Sequence, residues 1–201
     1  SMIQSILHTK ITPPPRNART LPRPRISRVL RQSLDYRLSI LQAEAGYGKS
    51  TALAELLTEV DGLAWYQVHG EDNDPLVFLM HLCHAFLRTI PDLPDLPIPM
   101  LEAWDGTQGL LPWRNIVDAL INALSTHLQS PLLLVVDDAH LVLDDSEVVH
   151  ILDRLISLAP AQLHILLSGR PTISLPALSR LRAKGDVLQI EQALLNFTSD
   201  E

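Results

Sequence analysis

The 201-residue chain has one cysteine, few aromatic residues and no long apolar run. With Cys83 alone, an intrachain disulfide and a multi-cysteine metal site are excluded, and its apolar setting, LMHLCHAF, predicts a buried thiol. No apolar stretch approaches the roughly 18 to 20 residues that cross a bilayer, and the N-terminus has no leader pattern of charge, apolar run and small residues. A soluble, cytoplasmic protein without membrane contact is therefore expected. The eight histidines show no HExxH or other paired ligand spacing, so zinc is not expected either.

Basic charge is scarce over most of the length. Residues 1–37 hold 8 of the 16 Lys and Arg against Asp35 alone, so the remainder carries 8 basic and 22 acidic residues. A body that acidic repels phosphate backbones, which argues against general nucleic-acid binding. The basic arm, TPPPRNARTLPRPR, has prolines but no interleaved aromatics for base stacking, and reads as an extended segment packed on the acidic body.

What is present is ample apolar material, 46% of residues, in a regular alternation. Residues 25–34 have helical spacing, 37–43 read as a buried strand, and 49–60 as a helix. A strand at 62–70 follows, then a helix opened by Asp74 ahead of Pro75. Residues 91–112 form a Pro- and Gly-rich loop with one short turn near Leu101 to Trp104, and 113–128 an amphipathic helix. Beyond it come a strand (131–140), a helix (145–159) capped by Asp144 or Asp145, a strand (162–170), a short basic helix, and a last strand (186–192). Nearly continuous apolar strands alternating with helices imply a parallel sheet covered on both faces.

The chemistry-bearing residues lie at strand ends. AEAGYGKST, residues 43–51, follows the first strand and opens a helix, the order in which backbone N–H groups cradle phosphates at a helix N-terminus. Gly46 and Gly48 permit close backbone approach, Lys49 suits β and γ phosphates, Ser50 suits Mg²⁺, and Thr51 is within range of an α phosphate. GxGK[ST] arises by chance in roughly one chain of this length in a hundred. Ala43 replaces the usual first glycine, which is tolerable if that residue needs no positive φ. In LLLVVDD, Asp137 is the candidate metal-side carboxylate and Asp138 the candidate to orient or deprotonate an attacking water. ILLSGR puts Ser168 and Arg170 at the end of the next strand, where open α/β sheets bind ligands, and Arg170 is a candidate sensor of the γ phosphate.

Together, TKITPPP with LPRPRI, AEAGYGKST, AWYQVHGEDNDPLVFLMHL, LLLVVDDAHLV, ILLSGRP and LLNFTSDE resemble the nucleotide-binding domain of MalT-like, large ATP-binding LuxR-type transcriptional regulators, within the signal-transduction ATPases with numerous domains. The likeness runs nearly the whole chain. In that family the loop commonly begins with alanine; Glu44, where proline is usual, and Ser50, where threonine is common, are departures that remove no needed group.

The resemblance implies a P-loop NTPase fold: a three-layer α/β/α sandwich whose five-stranded, mainly parallel sheet runs in the order 5-1-4-3-2. It implies ATP or ADP with Mg²⁺ as ligands, held by Gly46, Tyr47, Gly48, Lys49, Ser50 and Thr51, with Ser50 and Asp137 on the metal side. Asp138 and Arg170 would serve hydrolysis, and Arg23, Pro24 and Arg25 would lie near the adenine. Residues 1–24 are expected to form the arm, 25–195 the ATPase core, and 196–201 the start of a linker to domains beyond this chain. Self-association would belong to the full-length protein, and DNA contact to a C-terminal domain. The expected role is a slow ATP-hydrolysing switch; the alternatives are a turnover ATPase of AAA or motor type, a small-molecule kinase, and a nucleotide-binding scaffold without hydrolysis.

Overall fold

The computed structural model describes residues 5–14, 24–43, 49, 53, 60–107, 109–144, 146–170 and 173–191. Among these, five strands form one sheet: β1 (Leu38–Gln42), β2 (Leu63–Gln67), β3 (Leu132–Asp137), β4 (Leu163–Gly169) and β5 (Val187–Ile190). Every pairing is parallel and the order is β2-β3-β4-β1-β5, the expected 5-1-4-3-2 arrangement. β3 is buried along its full length, as a strand covered on both faces must be.

The alternation of side chains along each strand sorts the core into two layers. Leu38, Ile40, Ala64, Tyr66, Leu134, Val136, Ile165 and Leu167 face the larger one, which holds α2 (Pro75–Thr89), α4 (Trp113–His127), α5 (Ser146–Leu158) and α6 (Leu178–Ala183). Leu41, Trp65, Leu133, Val135 and Leu166 face the other, where they meet Leu53 and Val29 of α1 (Pro24–Arg31). Lys49 and Leu53 are helical; the rest of the helix expected at 49–60 lies outside the described residues, apart from Val60 at its end, which is not helical.

Local chemistry sets the element ends. The Asp74 side chain accepts the Val77 N–H at 3.1 Å and Pro75 occupies the first helical position of α2, as expected. The short turn in the long loop is α3 (Ile98–Glu102), slightly earlier than the expected Leu101 to Trp104. Asp145, one of the two expected caps of α5, lies outside the described residues. At the other end of α5, Arg37 donates to Ile156 O at 3.2 Å and Ala159 O at 2.8 Å, closing carbonyls that the helix leaves open.

The N-terminal segment is tied down by a buried cation. His8–Ile11 forms a 3₁₀ turn against β2, and Lys10, 2% exposed, bonds Asp72 at 3.0 Å and Glu71 at 2.6 Å. Leu7 N–H donates to His81 Nε2 while His81 Nδ1 donates to Val77 O, so this ring is neutral. Burial holds its pKa below the ordinary value, and its plane stacks on Tyr66.

Candidate functional site

Strand parity builds the site. Gln67 ends β2, Asp137 ends β3 and stands in register with Gln67, and Ser168 lies one position further along β4 than Leu167, the partner of Val136. All three share the layer of Trp65, Val135 and Leu166, the face that also carries Leu53. Polar side chains thus line the C-terminal edge of three adjacent strands, the edge at which open parallel sheets take ligands.

Asp137 is 2% exposed, and its Oδ1 collects three donors: Ser168 Oγ at 2.6 Å, Lys49 Nζ at 2.9 Å and the Asp138 N–H at 3.0 Å. Regular strand geometry would turn Asp138 to the opposite face. Instead Asp138 adopts a left-handed conformation, φ 56° and ψ 39°, and begins the turn Ala139–Leu141. Aspartate tolerates this region better than most residues, at a cost of about 1–2 kcal/mol. The kink brings Asp138 Oδ1 to 2.5 Å from Lys49 Nζ and Oδ2 to 2.7 Å from Gln67 Nε2.

One ammonium therefore bridges two neighbouring carboxylates. Burial alone would lower the Lys49 pKa, but Asp137 and Asp138 outweigh it and hold the pKa above the ordinary value. Burial likewise favours protonation of Asp138, yet the bond and charge of Lys49, with Gln67, keep its carboxyl below the usual range. At neutral pH Lys49 is therefore a cation and Asp138 a carboxylate, each satisfying the other.

Ala43 lies at the loop entrance, 3% exposed, its N–H donating to Gly169 O at 2.9 Å. Among the described residues only Asp95 and Asp138 are non-glycine positions with positive φ, so Ala43 keeps an ordinary backbone and its methyl group is accommodated. Gly46, Tyr47, Gly48, Ser50, Thr51 and Arg23 lie outside the described residues. Pro24 opens α1 and Arg25 is in that helix, but the Arg25 side chain is not described. Arg170 is exposed just beyond β4, its N–H donating to His140 Nδ1 at 3.2 Å.

Lys49, Asp137 and Asp138, singled out from the sequence, are brought together. Gln67 was not singled out. Its signal was available: it is the polar last residue of LAWYQ, on the same side of the strand as Trp65.

The donor set suits a nucleotide phosphate with a hydrated divalent cation. It offers a lysine ammonium able to exchange carboxylates for phosphate oxygens, and a buried carboxylate, Asp137, oriented by a serine hydroxyl toward the same point.

The curated protein kinase PknK of Mycobacterium tuberculosis is 29% identical over 197 residues, covering 96% of this chain and 17% of that protein. The HTH-type transcriptional regulator MalT of Vibrio cholerae is 26% identical over 194 residues, covering 96% of this chain and 21% of that protein. The chain thus spans about a fifth of the length of the curated relatives it matches. Among solved structures, a Walker-type ATPase of Pyrococcus abyssi superposes with a TM-score of 0.53 at 17% identity, covering 94% of this chain and 57% of that one. A chain from the structure of Drosophila ORC bound to AT-rich DNA and Cdc6 gives 0.51 at 12% identity, covering 83% of this chain and 52% of that one. At such identities these two structures speak to the fold. The family model described as AAA domain matches residues 34–175, well over half the chain, and with the sheet order and the likeness to MalT this chain belongs to that family of P-loop NTPase domains.

Proposed function

We propose that this domain binds ATP with Mg²⁺ and hydrolyses it slowly, as the switch of a multidomain, signal-responsive transcriptional regulator. The observation that carries the reading is the Lys49 ammonium held between Asp137 and Asp138 at the C-terminal edge of the sheet. In this scheme Lys49 leaves the carboxylates for the β and γ phosphates, while Gly46, Tyr47, Gly48 and Thr51 line the phosphate loop. Ser50 and Asp137 hold the cation, Asp137 through water. When bound, Mg²⁺ supplies charge neutralisation at the phosphate oxygens. Asp138, freed from Lys49 but still held by Gln67, orients the attacking water, and Arg170 faces the charge developing on the γ phosphate. Arg23, Pro24 and Arg25 border the adenine.

Slow turnover follows from the state of Asp138. Once Lys49 has moved to the phosphates, Asp138 still has Oδ2 engaged by Gln67, which leaves one constrained oxygen to meet the water. Asp138 is also one methylene shorter than a glutamate. Such a rate suits a timer: ATP binding favours a self-associating state, and hydrolysis resets it. DNA contact then falls to a C-terminal domain beyond residues 196–201, consistent with the acidic body and with relatives several times longer.

The test is a calorimetric titration with ATP and ADP, with and without Mg²⁺, on the parent, Lys49→Ala and Asp138→Asn, followed by turnover assays. Lys49→Ala is expected to abolish binding; Asp138→Asn is expected to bind as the parent does and to stop hydrolysis. Parent turnover above roughly 10 per second, an ordinary enzyme rate, would replace the switch by a turnover ATPase. Equal hydrolysis by Asp138→Asn would remove that residue's role, and binding without hydrolysis by the parent would leave a scaffold.

A further inference from the structure

His140 has no task in the scheme above, yet its placement is specific. It follows the left-handed Asp138 by two residues, in the turn Ala139–Leu141, and its ring reaches the end of β4. There the Arg170 N–H donates to Nδ1 at 3.2 Å. A backbone amide only donates, so Nδ1 is the bare nitrogen and the neutral ring carries its proton on Nε2.

The ring fits because residue 169 is glycine. A Cβ there would stand 2.7 Å from His140 Nδ1, 3.3 Å from His140 N and 3.2 Å from Ile173 Cδ1. Since the backbone at 169 has no positive φ, the requirement is for space and not for conformation. Burial is the main influence keeping the imidazole pKa below its ordinary value; the charges of Arg170 and Lys49 act in the same direction, against the opposite pull of Asp138 and Asp137. The bare acceptor is therefore available at neutral pH.

We propose that His140 is a positioning residue: through Nδ1 it fastens the backbone of Arg170 to the turn that carries Asp137 and Asp138, so that the end of β4 moves with the end of β3. A shift of Asp138 on release from Lys49 is then transmitted to Arg170 through one side chain. The geometric claim stands by itself; its consequence for turnover rests on the nucleotide-site reading.

The experiment has two parts, both on this chain. In the first, two-bond ¹H–¹⁵N spectra of the nucleotide-free protein report the His140 tautomer, and backbone spectra report the Arg170 amide. The expected result is a protonated Nε2 and a bare Nδ1, with an Arg170 amide that shifts strongly in His140→Ala and little in His140→Asn, whose Oδ1 stands near the place of Nδ1. A proton on Nδ1, or an Arg170 amide indifferent to His140→Ala, overturns the proposal whatever the chain does with nucleotide.

In the second part, kcat and KM for ATP are measured in a cycle with Arg170→Ala. His140→Ala is expected to lower kcat about tenfold with little change in KM, as misplacement of a catalytic group by a fraction of an ångström does. His140→Asn should recover most of that loss, and His140→Ala should add nothing once Arg170 is alanine. Independent, additive losses overturn the coupling. A parent that turns over no ATP sinks the functional reading instead, and the spectra still decide the positioning claim.

Discussion

Replacing Lys49 by methionine examines the centre of the site without any ligand. In the parent one ammonium, 14% exposed, satisfies two carboxylates at 2.9 and 2.5 Å. Methionine keeps most of the stem and removes the charge, leaving Asp137, whose side chain is 3% exposed, beside Asp138 with no cation between them. Breaking a buried pair costs about 3–5 kcal/mol, and partial solvation of Asp138, 32% exposed, reduces this to about 2 kcal/mol. In a domain of this size that is roughly 4–8 °C in Tm.

The pH dependence supplies the sharper test. Asp138 is held below its ordinary 3.8, so its contribution in the parent is complete above that value and is lost only as pH falls through the lower folded value. Lys49 is raised above 10.5, so its contribution is complete below 10.5 and is lost as pH rises through the folded value. Neither group gives the parent a slope between pH 5 and 8. In the variant, two carboxylates sharing a site repel, and one takes up a proton more readily than usual. The deficit relative to the parent should therefore shrink from pH 7 to pH 5. Urea denaturation at both values, in low salt, measures it. A variant within about 0.5 kcal/mol of the parent at pH 7, with a parallel pH profile, would mean that the ammonium does not sit on these carboxylates in solution.

Two further expectations concern the parts around the site. Lys10→Met should cost about 3 kcal/mol in urea denaturation, because it strands the fully buried Asp72 carboxylate, and pairing it with Asp72→Asn should recover most of the loss; a double variant no better than the single one would deny the pairing. Cys83 is buried, and burial pushes its thiol up to about 12, so reaction with a disulfide reagent at pH 8 should track global unfolding measured by circular dichroism. Labelling much faster than unfolding would contradict that burial.

The elements that repeat along the chain were legible because burial leaves a periodic trace. All five strands fall inside their expected ranges, and their order is the one the family resemblance implies. Lys49 was legible from the glycine loop, and Asp137 and Asp138 as carboxylates closing an apolar strand. How Asp138 joins its neighbour was not: a left-handed turn at a non-glycine residue leaves no composition signal. Partnerships between distant single residues were equally silent. Gln67 with Asp138, Ser168 with Asp137 and Lys10 with Asp72 are 71, 31 and 62 residues apart; the first two exist because the sheet order brings neighbouring strand ends together, the third because the turn His8–Ile11 packs against β2. Of the loop itself, Ala43 and Lys49 are the described positions, so the assignments of Gly46, Gly48, Ser50 and Thr51 rest on motif spacing and that of Tyr47 on the family resemblance.

The segment around Lys10 also constrains how the protein is made. It leaves the ribosome 61 residues before Glu71 and 62 before Asp72, so its ammonium meets its partners only after β2 and the turn Gly70–Asp72 have emerged. Until then the flank of β2 that His8–Ile11 will cover is open, and an uncovered strand flank is a template for pairing with other chains. The arrival of His8–Ile11 closes that flank of the sheet.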